Sequence, residues 1–148
     1  MQVGLIVVFP PEFARHAACS QTRMRFETFP DPQTYQIIGA AMTVHTELGC
    51  GFLERVYKAA LRLEFQDRNI IFKKEVLLPI EYKKRVLPLD YKVDFLCFEE
   101  ILIEVKAADA IHDRHVAQLI NYLKASQLKR GLLLNFGATR LEHRRLVN

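Results

Sequence analysis

The chain has 148 residues, half of them hydrophobic, which suits one soluble domain with its own core. No run reaches the roughly 18 apolar residues of a membrane span, and the apolar stretch Val3–Phe9 has no basic residue before it and is stopped by Pro10. We therefore expect no signal peptide, no membrane partner and a cytoplasmic location. Lys plus Arg number 21 and Asp plus Glu 17, and the net charge of +4 permits a polyanionic partner without requiring one.

The chain has three cysteines, Cys19, Cys50 and Cys97, which are widely spaced and form no Cys-x-x-Cys pair. This spacing argues against a disulfide framework and against a cysteine zinc site. Cys97 lies in an apolar strand pattern, so we interpret it as a buried free thiol.

Residues 1–30 contain three prolines, scattered aromatic residues and no sustained periodicity. The sequence predicts a loosely attached arm there and a domain over residues 31–148. Met24 stands shortly before the first regular element, so one hypothesis is that Met24 is the natural start. The residues before it would then be a translational extension, which mass spectrometry of the native protein tests.

Two helices are predicted at the start of the domain. Asp31 is a good N-cap, Pro32 suits the first helical position, and the run 49–51, Gly-Cys-Gly, breaks the helix. A second helix is predicted from about Phe52 to Arg68. Helical spacing in the first helix is supplied by Tyr35, Ile38, Met42 and His45, with Leu48 as a possible further member, and the predicted buried stripe of the second helix is Leu53, Val56, Ala60 and Leu63.

From Ile70 the apolar period changes to two, which predicts strands. These are placed at Phe72–Tyr82, Val86–Leu96 and Ile101–Lys106, with turns at residues 83–84 and 99–100. A third helix is predicted at Ile111–Ser126, and its buried face comprises Val116, Leu119, Ile120 and Leu123. A buried strand at Leu132–Phe136 and a basic tail follow. The predicted fold class is α/β (α+β), a central sheet flanked by helices.

The second and third strands bring two acidic residues together. Side chains alternate along a strand, so the apolar faces are Val93, Phe95 and Cys97 in one strand and Ile101, Ile103 and Val105 in the other. An antiparallel hairpin that turns both faces to one core leaves a three-residue loop at 98–100. The same register sets Asp94 opposite Glu104, with Cβ atoms about 4.5–5.5 Å apart.

Two neighbouring ionised carboxylates repel each other, and a hard divalent cation removes that repulsion. Mg²⁺ typically takes one or two carboxylates, keeps several waters and accepts phosphate oxygens. Lys106 follows Glu104 by two residues and points to the same side, where its ammonium can orient an attacking water and stabilise charge on phosphorus. The combination predicts phosphodiester hydrolysis. The alternative is an ordinary charged, solvent-facing side of a strand.

Asp94 followed by Glu104-Val105-Lys106 resembles the bipartite motif of the PD-(D/E)XK nuclease superfamily. The predicted element order is similar to its restriction-endonuclease-like core. Residues 51–57, Gly-Phe-Leu-Glu-Arg-Val-Tyr, resemble the Gly-x-x-Glu-x-x-Tyr signature of the GxxExxY family. The resemblance covers roughly residues 32–136. It implies a nuclease that binds Mg²⁺, with Mn²⁺ as a substitute, through Asp94, Glu104 and the Val105 carbonyl.

Glu54 matches the acidic helix residue that assists the metal in related nucleases, although the helix dipole alone favours a glutamate there. Tyr57 lies on the same side of that helix and is expected to pack or to contact substrate. Gln118 and Tyr122 resemble the Gln-x-x-x-Tyr motif of RecB-like nucleases. They either contact a strand or a base or form a polar shoulder of the third helix.

Basic side chains are the candidates for holding the phosphate backbone, with a solvated surface as the alternative; they are Lys73, Lys74, Lys129 and Arg130. His112 and His115, with Asp113, have a spacing that permits a zinc site. No third ligand is evident near them, so a solvated helix start is favoured.

The sequence thus predicts a Mg²⁺-dependent nuclease that acts on nucleic acid, DNA rather than RNA, with a homodimer implied by the resemblance. Two alternatives stay open, because a fold does not fix a function. One is a catalytically inactive nucleic-acid-binding or assembly module with a nuclease-like fold. The other is a metal-dependent hydrolase of small phosphoesters.

Overall fold

A computed structural model describes residues 31–148; the predicted arm over residues 1–30 and the start at Met24 lie outside the described residues. The elements, in chain order, are α1 (Pro32–Leu48), α2 (Glu54–Asp67), β1 (Phe72–Tyr82), β2 (Arg85–Cys97), β3 (Ile101–Lys106), α3 (Asp113–Ser126), β4 (Arg130–Asn135) and β5 (Glu142–Val147). Every element except β5 lies within two residues of its predicted position. The predicted order of helices, strands, helix and strand is therefore confirmed.

The strands form one five-stranded sheet in the order β1-β2-β3-β4-β5. All neighbours are antiparallel except β3 and β4, which are parallel and are connected through α3. The sequence predicted no element in the basic tail, whereas residues 142–147 form the edge strand β5. This strand buries Leu146 and leaves its other residues partly or fully exposed, so it carries no alternating apolar pattern that a sequence could reveal.

Helices cover both faces of the sheet. One core cluster joins α1 and α2 to the sheet and includes Ile37, Leu61, Phe65, Ile103 and Leu134. The other joins α3 to the opposite face and includes Leu96, Leu102, Leu119, Leu123 and Leu133. As a result, every residue of β3 except its last is buried. A polar side chain in this strand therefore lies in the protein interior.

The apolar spacing read from the sequence identified the packing faces of α1 and α2 only in part, since Ile38, Leu48 and Ala60 are partly buried against the core. The buried residues are Thr34, Ile37, Ala40, Ala41 and Val44 in α1 and Tyr57, Leu61 and Phe65 in α2. In α1 the exposed fractions are 75% for Tyr35 and 56% for Met42, and the stripe predicted for α2 was wrong at Leu53 and Leu63, which are 63% and 54% exposed. Apolar residues lie on more than one side of each helix, so their spacing did not fully identify the face that packs. The α1 face that packs contains adjacent alanines, whose small side chains permit close approach.

Arg130 ties the start of β4 to the cap of α1. Its guanidinium donates to Asp31 and to Gln33, both at 2.7 Å, and it also pairs with Glu100. Asp31 additionally caps α1 by accepting from the Gln33 amide at 3.2 Å. Burial opposes ionisation of Asp31, yet its hydrogen bonds to Thr34 and Arg130 lower its pKa to about 2. Arg130 is therefore engaged in structure, and its predicted contact with phosphate is corrected.

Tyr57 closes the turn between α1 and α2. Its hydroxyl donates to the Gly49 carbonyl at 2.8 Å and accepts from the Phe52 amide at 3.1 Å. Its ring stacks on Phe136 with centroids 4.8 Å apart, and the residue is fully buried. Gly49 and Gly51 take φ values of 68° and 108°, which favour glycine. Tyr57 has no surface for substrate to touch, so the expected substrate contact is corrected to a structural role.

Replacing Tyr57 by phenylalanine should lower the free energy of unfolding by about 1–3 kcal/mol, because two backbone groups of the turn lose their partner. Urea denaturation measures this. Tyr35→Phe is the matched control, since Tyr35 is 75% exposed and its change should stay within about 0.5 kcal/mol. Equal effects of the two substitutions would contradict the role given to the Tyr57 hydroxyl.

Within residues 31–148, none of the helices has both the length and the apolar character needed to cross a membrane. Cys97 is fully buried and is a free thiol, as its apolar surroundings in the sequence indicated. Burial raises its pKa well above the ordinary value, which keeps the thiol protonated.

Candidate active site

The hairpin of β2 and β3 has the predicted register. Phe95 pairs with Ile103 and Cys97 with Ile101, which leaves residues 98–100 as a three-residue loop. The β2–β3 pairing ends at Phe95, one residue before Asp94 is reached along the hairpin. Val93 packs in the α3 cluster rather than with Phe95, so the prediction that it shares the Phe95 face was wrong. The strand changes its orientation at this point, next to Glu75 of β1, which has a φ of 52°.

Asp94 lies where the two strands separate. One carboxylate oxygen accepts the backbone N–H of Val105 at 2.8 Å, so the side chain takes the place of the missing strand pairing. The other oxygen lies 2.5 Å from the ammonium of Lys58. Desolvation raises the pKa of Asp94, and the hydrogen bonds from Lys58 and Val105 only partly offset it. The carboxyl group is thus held in place from both β3 and α2.

Glu104 is a charged residue in the interior strand β3, with only 4% of its surface exposed. Its Oε1 accepts from the Lys106 ammonium at 2.8 Å. Its Oε2 is buried and has no hydrogen-bond partner among the described residues. Burial and, second, the charge of Asp94 raise the pKa of Glu104 to about 7. The structure therefore brings Asp94, Glu104 and Lys106 together, as the hairpin register predicted.

Glu54, in the first turn of α2, is connected to Asp94 through the side chain of Lys58. Lys58, one turn further along, lies 2.6 Å from Glu54 and also contacts Asp94. Burial opposes the charge on Lys58, yet the hydrogen bonds to Asp94 and Glu54 raise its pKa. Lys58 was not among the residues predicted from the sequence. The available signal was the Glu–Lys spacing of four residues, which marks a pair on one helix face.

Asn135 holds the backbone that follows Lys106, and it was not among the site residues predicted from the sequence. It pairs with Lys106 across the parallel strands and is fully buried. Its side chain accepts from the Ala108 amide at 2.9 Å and donates to the Ala108 carbonyl at 3.0 Å. A Cβ atom at Gly137 would lie 2.2 Å from the Ala108 carbonyl oxygen, so glycine is required there. The signal was a polar residue inside the apolar run 132–136.

Gln118 and Tyr122 lie beside the carboxylates. The Gln118 amide donates to the Tyr122 hydroxyl at 2.7 Å. Burial and, second, the charge of Glu104 raise the pKa of Tyr122 to about 12. The ring of Tyr91 lies 5.1 Å from that of Tyr122. A shallow groove continues from here over α3, lined by Tyr91, Arg114, Ala117, Gln118 and Asn121.

The predicted phosphate-binding residues are dispersed. Lys73 pairs with Glu99 of the hairpin loop at 2.8 Å. Arg130 pairs with Ile101 at the start of β3, which places it and its neighbour Lys129 at the end of the sheet opposite Lys106. Lys74 is exposed on β1, opposite Phe95 and so beside Asp94 in the sheet. Lys73 is thus engaged by the hairpin loop, and Lys129 and Arg130 lie at the other end of the sheet. Lys74 is the member of this set that remains as a candidate near the carboxylates.

His112 and His115 form the start of α3. The Nδ1 atom of His115 accepts from the His112 amide at 3.3 Å, and His112 pairs with Asp109 at 2.9 Å. These contacts cap the helix. In the part of the chain from Asp31 onward, no three His, Cys, Asp or Glu side chains are grouped closely enough to hold a metal by themselves.

The donor set fits a hard divalent ion that retains water. Mg²⁺ needs only one or two carboxylates from the protein, so the lack of a three-residue cage does not conflict with it. The free Oε2 of Glu104 is the clearest indication, because a buried carboxylate oxygen without a partner is unfavourable unless a ligand completes it. Asp94 and Glu104 would hold such an ion. The Val105 carbonyl and Glu54 as further ligands stay predictions.

The raised pKa of Glu104 predicts a characteristic pH dependence of stability in the absence of metal. The folded protein binds a proton at Glu104 up to a pH of about 7, whereas the unfolded chain releases it near 4.5. The contribution of Glu104 to the free energy of unfolding is therefore fully present below about pH 4.5 and is lost as the pH rises through about 7. The loss between pH 5 and pH 8 should be on the order of 3 kcal/mol.

Urea denaturation of wild type and Glu104→Gln at pH 5 and pH 8 measures this loss. The matched variant is needed because His115 has a lowered pKa, through burial and the charge of Lys106, and acts in the opposite direction. Asp31, with its pKa near 2, titrates below this range. Parallel pH profiles of the two proteins would contradict an ionisation of Glu104 in this range.

The mixed sheet flanked by helices, with two carboxylates and a lysine at the point where β2 and β3 separate, defines a restriction-endonuclease-like fold. A family model described as the PD-(D/E)XK nuclease superfamily matches residues 31–146. The chain belongs to this superfamily.

One similar solved structure is described as "Crystal structure of SSO0001". It has a TM-score of 0.53 and 19% sequence identity, and the match covers 64% of this chain and 50% of that one. The matched region thus spans half the length of that protein, and the likeness supports the fold alone. No curated protein matches the chain.

Proposed function

We propose that this protein is a Mg²⁺-dependent nuclease that hydrolyses phosphodiester bonds through Asp94, Glu104 and Lys106. The observation that carries the proposal is the buried carboxylate pair, in which Glu104 keeps an unpartnered oxygen beside the Lys106 ammonium. Membership of the superfamily supports nuclease chemistry and a divalent metal ion. Mg²⁺ as the particular ion, with Mn²⁺ as a substitute, rests on the all-oxygen donor set.

The protein residues divide the chemical work between them. When bound, the metal ion supplies positive charge that stabilises the developing phosphorane and acidifies a water. Glu104 accepts from Lys106 and so orients its ammonium, which then donates to the attacking water or to a phosphate oxygen. Val105 holds Asp94 through its backbone N–H, which keeps that carboxylate aimed into the site.

The groove over α3 is the best-placed surface for the substrate strand. Gln118 and Tyr122 border the carboxylates, and Tyr91, 37% exposed, offers a ring on which a base can stack. Arg114 adds a positive charge to the same groove. Lys74, exposed on β1, is the remaining candidate for a backbone phosphate.

Four finer predictions made from the sequence stay proposals. They are membership of the GxxExxY family, DNA rather than RNA as substrate, a homodimer and a cytoplasmic location. In support of the first, Glu54 and Tyr57 of that signature have distinct placements, Glu54 at the site and Tyr57 under the turn that precedes it. Sedimentation analysis tests the dimer.

The test of the proposed function is cleavage of single- and double-stranded DNA and RNA with Mg²⁺, Mn²⁺ or chelator. Wild type should cleave at least one of these polymers only when metal is present. Asp94→Asn, which keeps the shape and removes the charge, should be inactive. Equal cleavage by wild type and variant, or cleavage in chelator, would refute the assignment. Turnover of small phosphoesters without cleavage of any polymer would show instead that the protein is a hydrolase of small phosphoesters.

The second candidate is a nucleic-acid-binding or assembly module without catalysis. The contact of Lys58 with both Glu54 and Asp94 favours it, because this ammonium already neutralises part of the acidic site. Calorimetry discriminates between the two. Titration of wild type with Mn²⁺ without any heat of binding, together with retained binding of oligonucleotides, would support the module and exclude the nuclease.

A further inference from the structure

Lys58 stands where a metal shared by Glu54 and Asp94 would stand. Its ammonium lies 2.6 Å from Glu54 Oε1 and 2.5 Å from Asp94 Oδ1, so it bridges a helix carboxylate and a strand carboxylate. The second oxygen of Asp94 is taken by the Val105 amide. Each Asp94 oxygen therefore already has a partner, and Asp94 differs in this from Glu104.

The charges at the site determine whether Lys58 and a divalent ion can be bound there together. Three carboxylates, Glu54, Asp94 and Glu104, face two ammonium groups, those of Lys58 and Lys106. One negative charge is left over. Adding a divalent ion while both lysines stay in contact would make the cluster net positive, and Lys58 would repel the incoming ion at close range. Metal binding therefore requires that one of the two ammonium groups, that of Lys58 or that of Lys106, move out of contact with the carboxylates.

Lys58 is better placed to leave than Lys106. The side chain of Lys58 is 32% exposed and that of Lys106 is 15% exposed. Lys58 also lies on α2, outside the sheet, and a lysine ammonium on its flexible four-carbon stem can move into water at modest entropic cost. Lys106 is held at the end of a central strand, between Glu104 and the Phe136 amide that bonds to its carbonyl.

We propose that Lys58 is a resident cation that holds the Glu54–Asp94 position in the metal-free protein and competes with the divalent ion for it. This inference rests on the proposed metal site. Lys58 is thus a positioning residue that sets metal affinity. It keeps Asp94 and Glu54 paired when no metal is bound, and it weakens metal binding by the work needed to displace it.

Mn²⁺ binding without substrate tests the proposal, by calorimetry and by the loss of the free Mn²⁺ paramagnetic resonance signal. Lys58→Met removes the charge and keeps the length, so its dissociation constant should fall by roughly tenfold or more. Lys58→Arg keeps the charge and should not bind more tightly than wild type. Lys124→Met is the control, because Lys124 is exposed in the last turn of α3, which leads to the end of the sheet opposite Lys106; its affinity should be unchanged.

A thermal melt supplies a second readout. Without metal, Lys58→Met should melt below wild type, because Glu54 and Asp94 lose their shared partner, and Mn²⁺ should raise its melting temperature by more than it raises that of wild type. Lys58→Gln, which keeps a hydrogen-bond donor, replaces Lys58→Met if the latter does not fold.

The outcomes separate this inference from the proposed function. Mn²⁺ binding by wild type with the same or weaker binding by folded Lys58→Met would overturn the role of Lys58 alone. Absence of Mn²⁺ binding in all variants and in wild type would overturn both. Binding by Lys58→Met but not by wild type would support the competition by Lys58 and would overturn the proposed function of wild type.

Discussion

Replacing Lys106 by methionine is expected to reduce Mg²⁺-dependent cleavage by about 10²–10³-fold and to leave metal binding at least as strong as in wild type. The ammonium contacts Glu104 Oε1 at 2.8 Å and is only 15% exposed, so its charge acts in a largely desolvated setting. It is not a metal ligand. Its removal therefore deprives the reacting groups of a positive charge without removing an oxygen that holds the ion.

The measurement is the single-turnover rate of cleavage at saturating Mg²⁺, paired with calorimetric Mn²⁺ binding. Lys124→Met again serves as the control, because Lys124 is exposed in the last turn of α3 and its loss should change neither quantity. A parallel loss of rate and of metal affinity in Lys106→Met would show that Lys106 acts on the metal site as a whole. That result would contradict the separate role given to it here.

Replacing Glu104 by glutamine is expected to have opposite effects on activity and on stability. Cleavage should fall by at least about 10³-fold, because the buried carboxylate that would hold the metal loses its charge. The free energy of unfolding at pH 8 without metal should rise by on the order of 1–3 kcal/mol, because an anion that is 4% exposed and lies beside Asp94 is removed. Such opposition is common where function requires an unfavourable arrangement of charges.

The stability order should reverse when metal is added. Mg²⁺ stabilises a protein only to the extent that it binds the folded state, so wild type gains with metal concentration and Glu104→Gln does not. Urea denaturation at pH 8 with and without Mg²⁺ measures both effects. Glu99→Gln is the control, since Glu99 lies in the exposed hairpin loop and pairs with Lys73. An equal gain of stability from Mg²⁺ in wild type and Glu104→Gln would remove Glu104 from the metal site.

The hairpin shows what a sequence can determine about a site. The apolar residues of β2 and β3 alternate over a short distance, and only one parity of register buries both sets; with a three-residue loop, that parity sets Phe95 opposite Ile103. That local requirement was sufficient to place Asp94 and Glu104 together. The prediction that Val93 shares the face of Phe95 was wrong, because the strand changes its orientation where the β2–β3 pairing ends.

Element positions were likewise encoded in local signals. Asp31 caps α1 with its own side chain, and Gly49 and Gly51 adopt positive φ values that end the helix region. The turn at residues 83–84 joins β1 and β2 with positive φ values of 49° and 63°. Each of these signals acts over a few residues, which is why the boundaries were predictable and β5, with one buried residue, was not.

The packing faces and the ion pairs were decided by tertiary structure. Which side of α1 and α2 faces the sheet depends on how closely whole elements can approach, and apolar spacing contained that information only in part. The partners of Arg130 are 30 residues or more away in sequence, and they turned a candidate phosphate contact into a structural tie. Covering β3 on both faces is what made Glu104 a buried acid with a raised pKa.

By itself, then, the sequence determined the elements other than β5, the hairpin register and the grouping of Asp94, Glu104 and Lys106, because backbone propensity and strand alternation are short-range. Only the folded chain decided that Lys58 links Glu54 to Asp94 and that one oxygen of Glu104 lacks a partner among the described residues. Those two facts arise where a helix, two strands and a second helix meet. Burial and ion pairing depend on everything that surrounds a side chain, and no stretch of sequence specifies its own surroundings.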